Sequence, residues 1–291
     1  MANTPFTFTL VCREQKHSMA FEFDLSLFSH QILHSFLSKG RLFEMGTSMV
    51  LCLTLGPGDM FIDIGAHVGY FTLLASRLVG PMGQVLAFEP EQRNYEWLLK
   101  HLRMNGITNV LPFHWACGAG AGVSELSVCP VNDGGNSLRD LASEQQYVEH
   151  RNTMKKQPVF VTPLDQVMMG KSGPGTVKAI KIDVEGFETQ VLQGAMNVLT
   201  NARVPIVICE NNPNALRQAR TSEDEMRGFM ARLGYETYAD SHTDTQLHRL
   251  EPGEYHRSQY IFNFVFMRPE VSGKVVAAME KVGLEWAAKA A

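Results

Sequence analysis

Runs of lysine and arginine are missing from this 291-residue chain, in which Asp and Glu outnumber Lys and Arg by 30 to 26 for a net charge of −4. The electrostatic footprint of a nucleic-acid binder is therefore lacking, and neither RNA nor DNA is the expected partner. Cysteine is scarce. Cys12, Cys52, Cys117, Cys129 and Cys209 are odd in number, scattered and never spaced Cys-x-x-Cys, which argues against a disulfide framework or a zinc cage and fits reduced core thiols. Long apolar runs are lacking as well: Phe6 to Cys12 and Met49 to Leu55 are too short to span a bilayer, and no basic residue precedes the first as in a signal peptide. The expectation is a soluble cytoplasmic protein. Internal repeats and low-complexity tracts are also missing.

What is present is an ordinary globular balance, 45% hydrophobic and 19% charged. The length suits one large α/β domain with decorations, or at most two domains. Residues 1–42 form an expected N-terminal extension. Phe6, Phe8 and Leu10, then Met19, Phe21 and Phe23, alternate as in a hairpin, and Leu27, Ile32, Leu33, Phe36 and Leu37 recur at helical spacing. Residues 43–270 form the main domain. From Met60 strands and helices alternate, the pattern of a parallel sheet with right-handed crossovers. The later pattern gives strands at 179–182, 206–209, 237–239 and 260–267, with helices over 188–200 and 223–233. Residues 118–158 interrupt the alternation with a short strand at 124–129 and a polar stretch, and read as an insertion, a lid or a surface loop; the polar segment 131–157 is too long for an ordinary connection and is expected to border the acceptor pocket. Residues 271–291 close the chain with a helix.

The most informative stretch runs from Gly58 to Glu89. The apolar strand Met60 to Ile64 carries Asp63 near its end. Gly65-Ala66-His67-Val68-Gly69 then turns into a helix, and the strand Gln84 to Phe88 leads to Glu89, 26 residues after Asp63. Glycines allow a sharp turn and close approach of a ligand, and a carboxylate ending the second strand is placed to accept both hydroxyls of a ribose. The spacing Asp-x-Gly-x-x-x-Gly lacks the third glycine of the dinucleotide fingerprint. S-adenosylmethionine, which has a ribose but no pyrophosphate, fits better than a nicotinamide or flavin cofactor.

A second block, Val177-Lys178-Ala179-Ile180-Lys181-Ile182-Asp183-Val184-Glu185-Gly186-Phe187-Glu188, follows about 120 residues after the first. In this order the two blocks resemble the FkbM family of S-adenosylmethionine-dependent methyltransferases, over roughly Phe43 to Arg268. The resemblance implies a Rossmann-like class I methyltransferase fold, a mostly parallel seven-stranded sheet with an antiparallel last strand and helices on both faces. It also implies methylation of a hydroxyl. The family most often carries Asn where this chain has His67.

Asp63 resembles the family acid that orients the turn and the cofactor's methionine moiety; as an Asp before a helix it is also a candidate N-cap. Gly65, Ala66, His67 and Gly69 form the turn, and Thr72 in the first helical turn either helps amides bind a carboxylate or is simply solvated. Ala116 and Cys117 stand where such enzymes cradle adenine. Asp183 shares one strand face with Lys181 by the two-residue period, and with Glu185 and Glu210 it is a candidate catalytic acid. Methyl transfer to oxygen needs a base or a metal, plus alignment. Asp183, Glu210 and Asn211 are also the candidate oxygen ligands for magnesium. His114, His242 and His256 show no paired metal spacing and read as structural or exposed.

The expected activity is S-adenosylmethionine-dependent O-methylation of a small molecule, a sugar or secondary metabolite. Fold and cofactor leave open an N-methyltransferase or a protein methyltransferase, and, in another class, a non-catalytic nucleoside-binding module.

Overall fold

A computed structural model describes residues 5–169, 176–240, 246–256 and 261–290. Tyr260, expected in the last strand, and His242 lie outside them. The chain opens with the hairpin β1 (Phe6–Cys12) and β2 (Gln15–Phe21), then α1 (Phe28–Leu37) and α2 (Met45–Thr54). The first nucleotide-type unit is β3 (Met60–Ile64), α3 (Tyr70–Val79), β4 (Gln84–Phe88), α4 (Gln92–Met104) and β5 (Val110–Phe113). After it come β6 (Ala116–Cys117), β7 (Gly122–Val128), two short 3-10 segments (Leu141–Ser143 and Gln145–Thr153), β8 (Lys155–Thr162) and α5 (Leu164–Met168). The second half holds β9 (Val177–Ile182), α6 (Glu188–Gln193), α7 (Met196–Asn201), β10 (Ile206–Asn211) and α8 (Pro213–Gln218). It ends with α9 (Glu223–Arg232), β11 (Glu236–Asp240), β12 (Leu247–Leu250), β13 (Phe262–Met267) and α10 (Pro269–Ala290).

The main sheet has the order β12-β11-β13-β10-β9-β3-β4-β5. Its centre is parallel from β10 through β5, whereas β13 runs antiparallel between β10 and β11. Strands β3 and β13 are buried at every position. That is why they read as near-continuous apolar runs, broken only by Asp63 and Asn263: a sheet covered on both faces has no polar side to alternate with. One core layer packs the hairpin, α2 and α3 against the sheet, through Phe8, Phe21, Leu51 and Leu73; the opposite layer packs α6 to α9, through Val191, Leu199, Leu216 and Met230.

The class I fold and the inserted antiparallel strand are as expected, but the described sheet has eight strands where seven were expected. The extra one, β12, pairs antiparallel with β11 at the edge. Its residues are partly or fully exposed, so no apolar run announces it. The expected helix over 188–200 is broken in two. A Cβ on Gly194 would lie 2.0 Å from the carbonyl oxygen of Gly118, and the Asp165 carboxylate caps the restarted helix, accepting N–H bonds from Asn197 and Val198, each 2.9 Å. The insertion carries the strand expected at 124–129, as β7, and a second strand that was not expected. β7 pairs antiparallel with β8, and β8 runs parallel to β6, forming a small second sheet. The polar start of β8, Lys155-Lys156-Gln157-Pro158, hides it. Among the described residues no helix is long and apolar enough to cross a membrane.

Candidate active site

The chain leaves β3, crosses to β4 on one side, and returns through β9 on the other. Ligands of open α/β sheets bind at such a switch point, beyond the carboxyl ends of the strands. A cleft of about 310 Å³ opens there, within the range of small-molecule sites. Its lining includes Gly65, Ala66, His67, Glu89, Ala116 and Cys117 on one side and Asp183, Glu185 and Glu210 on the other. The two sets named from sequence thus meet in one cavity.

The β3 turn is built by left-handed residues. Gly65, His67 and Gly69 have φ of 84°, 51° and 94°. Gly69 is also a packing position, since a Cβ there would sit 2.6 Å from Leu98 Cδ1. The strained His67 backbone is held by Glu89, whose Oε2 accepts the His67 N–H at 2.7 Å, while Oε1 accepts the Glu91 N–H at 2.9 Å. Burial raises the Glu89 carboxyl to about 7; the His67 ring and these amide bonds only partly oppose it.

Asp63 and Thr72 are buried behind this turn and are not among the lining residues. Thr72 donates its hydroxyl to Asp63 Oδ2 at 2.5 Å, leaving Asp63 Oδ1 without a hydrogen bond. Burial lifts Asp63 to about 6, against the pull of nearby Lys181, its register partner on β9. Both residues therefore support the turn from inside. Cys117 is buried as well, and burial alone raises its thiol.

Lys181 pairs with Asp183 at 2.7 Å and lies 4.7 Å from the Phe71 ring centroid. Burial works against its charge, but Asp183, Glu44 and Asp63 outweigh that and raise the ammonium pKa. The loop after β9 turns through Glu185 and Gly186, both left-handed at φ 54° and 103°. Glu188 folds back to fix it. Its Oε1 accepts the N–H groups of Val184 and Gly186 at 3.1 Å each, a more specific task than favouring a helix N-terminus. From the insertion, Ser137 Oγ and Arg139 Nε donate to the Glu185 carbonyl at 2.9 and 2.8 Å. Burial, then Asp183 and Glu188, push the Glu185 carboxyl up to about 8. Glu210 is raised well above its usual value by burial and by Glu185 and Asp183, and its Oε2 has no hydrogen-bond partner.

The magnesium set does not assemble. Asn211 lies one residue beyond Glu210 on β10, so its side chain falls on the other face. It is fully buried and donates from Nδ2 to Glu223 Oε2 at 3.4 Å, and it is not a lining residue. Among the described residues no group of three or more His, Cys, Asp or Glu is arranged to hold a metal ion. His114 stacks on Tyr95 at 4.7 Å and His256 on His248 at 5.4 Å, as structural residues.

One participant was invisible in the motifs. Asp133, in the insertion, accepts from the Ser29 N–H at 3.0 Å and from the Ser29 hydroxyl, and stands 3.7 Å from His67 Nε2. Its backbone carbonyl accepts Asn94 Nδ2 at 2.9 Å. Burial opposes the Asp133 charge, but the nearby His67 ring and the bonds from Ser29 prevail and lower its pKa. Asp133 thereby caps α1, which has no side-chain cap of its own, and links the extension, the insertion and the turn after β3.

Comparison with known proteins gives a consistent result. A family model described as the methyltransferase FkbM domain matches residues 63–237, more than half of the chain. Methyltransferase 1 of Beauveria bassiana is 26% identical over 148 residues, 47% of this chain and 59% of that protein. Methyltransferase sdnD of Sordaria araneosa is 26% identical over 194 residues, 60% of this chain and 74% of that protein. The match thus spans less than two thirds of the Beauveria protein's length. A solved structure of methyltransferase FkbM from Methylobacillus flagellatus aligns over 82% of this chain and 54% of that one, with a TM-score of 0.45 and 14% identity.

Proposed function

This chain belongs to the FkbM methyltransferase family, and from that premise we propose that it transfers a methyl group from S-adenosylmethionine to a hydroxyl of a small molecule. The observation that carries the cofactor assignment is Glu89. Each of its oxygens already accepts one backbone N–H, and a carboxylate has about four acceptor sites, so one lone pair per oxygen remains for a pair of neighbouring hydroxyls. The glycine turn beside it and the small Ala116 and Cys117 opposite leave room for a nucleoside.

When bound, the cofactor supplies an electrophilic methyl on a positively charged sulfur. The work left to the chain is to align the acceptor hydroxyl and take its proton. Asp183 is the group for this. Oδ2 is held by Lys181, which leaves Oδ1 to accept the hydroxyl's hydrogen bond and then its proton as the oxygen–methyl bond forms. Glu185, raised chiefly by burial to about 8, holds a proton near neutrality and donates a hydrogen bond that orients the acceptor, with Glu210, raised well above its usual value by burial, beside it.

Calorimetric titration with S-adenosylmethionine, followed by a methyl-transfer screen over hydroxylated metabolites, tests the reading. Micromolar-range cofactor binding and an O-methylated product are expected. A folded protein that binds no cofactor would overturn it.

A further inference from the structure

The cleft has an apolar mouth and an acidic floor. Four large hydrophobic side chains left exposed elsewhere unexplained, Phe28 (48%), Ile32 (37%), Trp115 (37%) and Ile261 (42%), all line it. They come from three separate segments: α1, the link from β5 to β6, and the approach to β13. Convergence of exposed apolar side chains on one concavity marks a surface that something apolar covers. The charges of the lining are one-sided. Among the described lining residues are five carboxyl side chains, Glu44, Glu89, Asp183, Glu185 and Glu210, and one lysine, Lys181, which is already paired with Asp183 at 2.7 Å. Among the described residues neither Glu185 nor Glu210 forms an ion pair; Glu185 Oε2 accepts from Asn212 Nδ2 at 3.4 Å, and Glu210 Oε2 has no hydrogen-bond partner. An anion entering such a cleft finds no unpaired lysine or arginine among the described lining residues, whereas a cation can be matched by the charge that Glu185 and Glu210 take on when they give up their protons.

We propose that the acceptor is a small molecule with a flat apolar body and a protonated amine, the body lying against Phe28, Ile32, Trp115 and Ile261 and the ammonium reaching Glu185 and Glu210. The inference rests on the methyl-transfer reading of the same cleft. It adds the acceptor's chemical class and excludes phosphorylated and carboxylate acceptors. It also gives the N-terminal extension a task, since α1 supplies half of the apolar mouth.

The test uses the full chain, free and saturated with S-adenosylhomocysteine, and three probes: 5-hydroxytryptamine, 5-hydroxyindole-3-acetate and ethanolamine. The first two share a hydroxylated ring and differ in the sign of charge; the third keeps the cation and drops the ring. The amine should bind about tenfold or more tighter than either of the others. Because burial, then Asp183, raises Glu185 to about 8, binding of the amine should also release protons, seen as a heat that depends on the buffer's ionisation enthalpy. Glu210→Gln should erase most of the preference for amine over acid, and Phe28→Ser most of the preference for 5-hydroxytryptamine over ethanolamine, with S-adenosylhomocysteine binding kept as the check on folding. Equal or tighter binding of the acid, or no binding of any probe by a protein that binds S-adenosylhomocysteine, overturns the acceptor assignment. Loss of S-adenosylhomocysteine binding in the unmodified chain would instead overturn the methyl-transfer reading, and the probes titrated into the free protein would still decide the acceptor's charge.

Discussion

Gly65 and Asp183 end neighbouring parallel strands, and they approach so closely that a Cβ on Gly65 would stand 1.8 Å from the Asp183 carbonyl oxygen. The cofactor turn and the proposed catalytic acid are therefore fixed by one contact between two backbones. At φ 84° an alanine would also be strained, so Gly65→Ala must push the two strand ends apart. Cofactor affinity and turnover should each fall by about tenfold to a hundredfold, because alignment errors near 1 Å cost that much. Near-normal kinetics in Gly65→Ala would show that this contact does not set the site.

Glu89 gives cofactor affinity a pH dependence. Its carboxyl is raised to about 7, and the protonated form has one acceptor fewer for the ribose hydroxyls. Affinity for S-adenosylhomocysteine should be full above pH 7 and weaken below it by up to about tenfold per pH unit. Glu89→Gln should bind weakly at every pH and lose this dependence. The loss is roughly 1.5 to 3 kcal/mol, the range for hydrogen bonds to a charged group. A pH slope that persists in Glu89→Gln would place the titrating group elsewhere, with Glu188, raised by burial to about 7, as the next to replace.

The half of the site that was legible in sequence is the half built by local chain geometry. An apolar strand, a glycine turn and an acid at the next strand's end place Glu89 beside His67 by short-range rules. Asp183 was legible for the same reason, as the polar residue that ends a buried run. What was not legible depends on residues far apart in sequence. Ser29 and Asp133 meet across 104 positions, and the helix break at Gly194 is caused by the carbonyl of Gly118. Asn211 is a different case. The two-residue period of a strand already assigns Glu210 and Asn211 to opposite faces, so grouping them as joint ligands ignored a rule the sequence carries.

Glu210 should make the ligand-free fold sensitive to alkaline pH. Its folded pKa is raised well above the ordinary 4.5, so the folded chain holds a proton that the unfolded chain releases. The sign follows: stability from this group falls as pH rises above the unfolded value and up through the folded one. Glu210→Gln removes that slope. Thermal unfolding of the ligand-free variant should show a gain over the unmodified chain at alkaline pH that shrinks as the pH falls towards the ordinary carboxylate range. Cys12 titrates in the opposite sense, lowered to about 6 by its bond with Cys52, but it is common to both proteins and cancels in the comparison. A variant that tracks the unmodified chain across the range would show that burial of Glu210 carries no such cost.

Lys181 and Asp183 separate fold from chemistry. The Lys181 side chain is 3% exposed and its ammonium neutralises the Asp183 carboxylate at 2.7 Å, with buried Asp63 as a further neighbour. Removing the cation in Lys181→Met leaves carboxylates uncompensated, and breaking a buried pair from one side costs roughly 3 to 5 kcal/mol. That variant should unfold at much lower denaturant. Asp183→Asn also opens the pair, but Glu44 and Asp63 remain beside the Lys181 ammonium, and the variant keeps the shape while its amide cannot take the acceptor's proton. It should retain cofactor affinity within about threefold, a shift well under 1 kcal/mol, and lose about two to four orders of magnitude in turnover, the range for a positioned acid–base group. The loss should appear in kcat more than in KM, since the proton is shared only as the new bond forms. Full turnover by a folded Asp183→Asn enzyme would move the base off the end of β9, with Glu185 and Glu210 next in line, and would leave the Lys181 pair a purely structural contact.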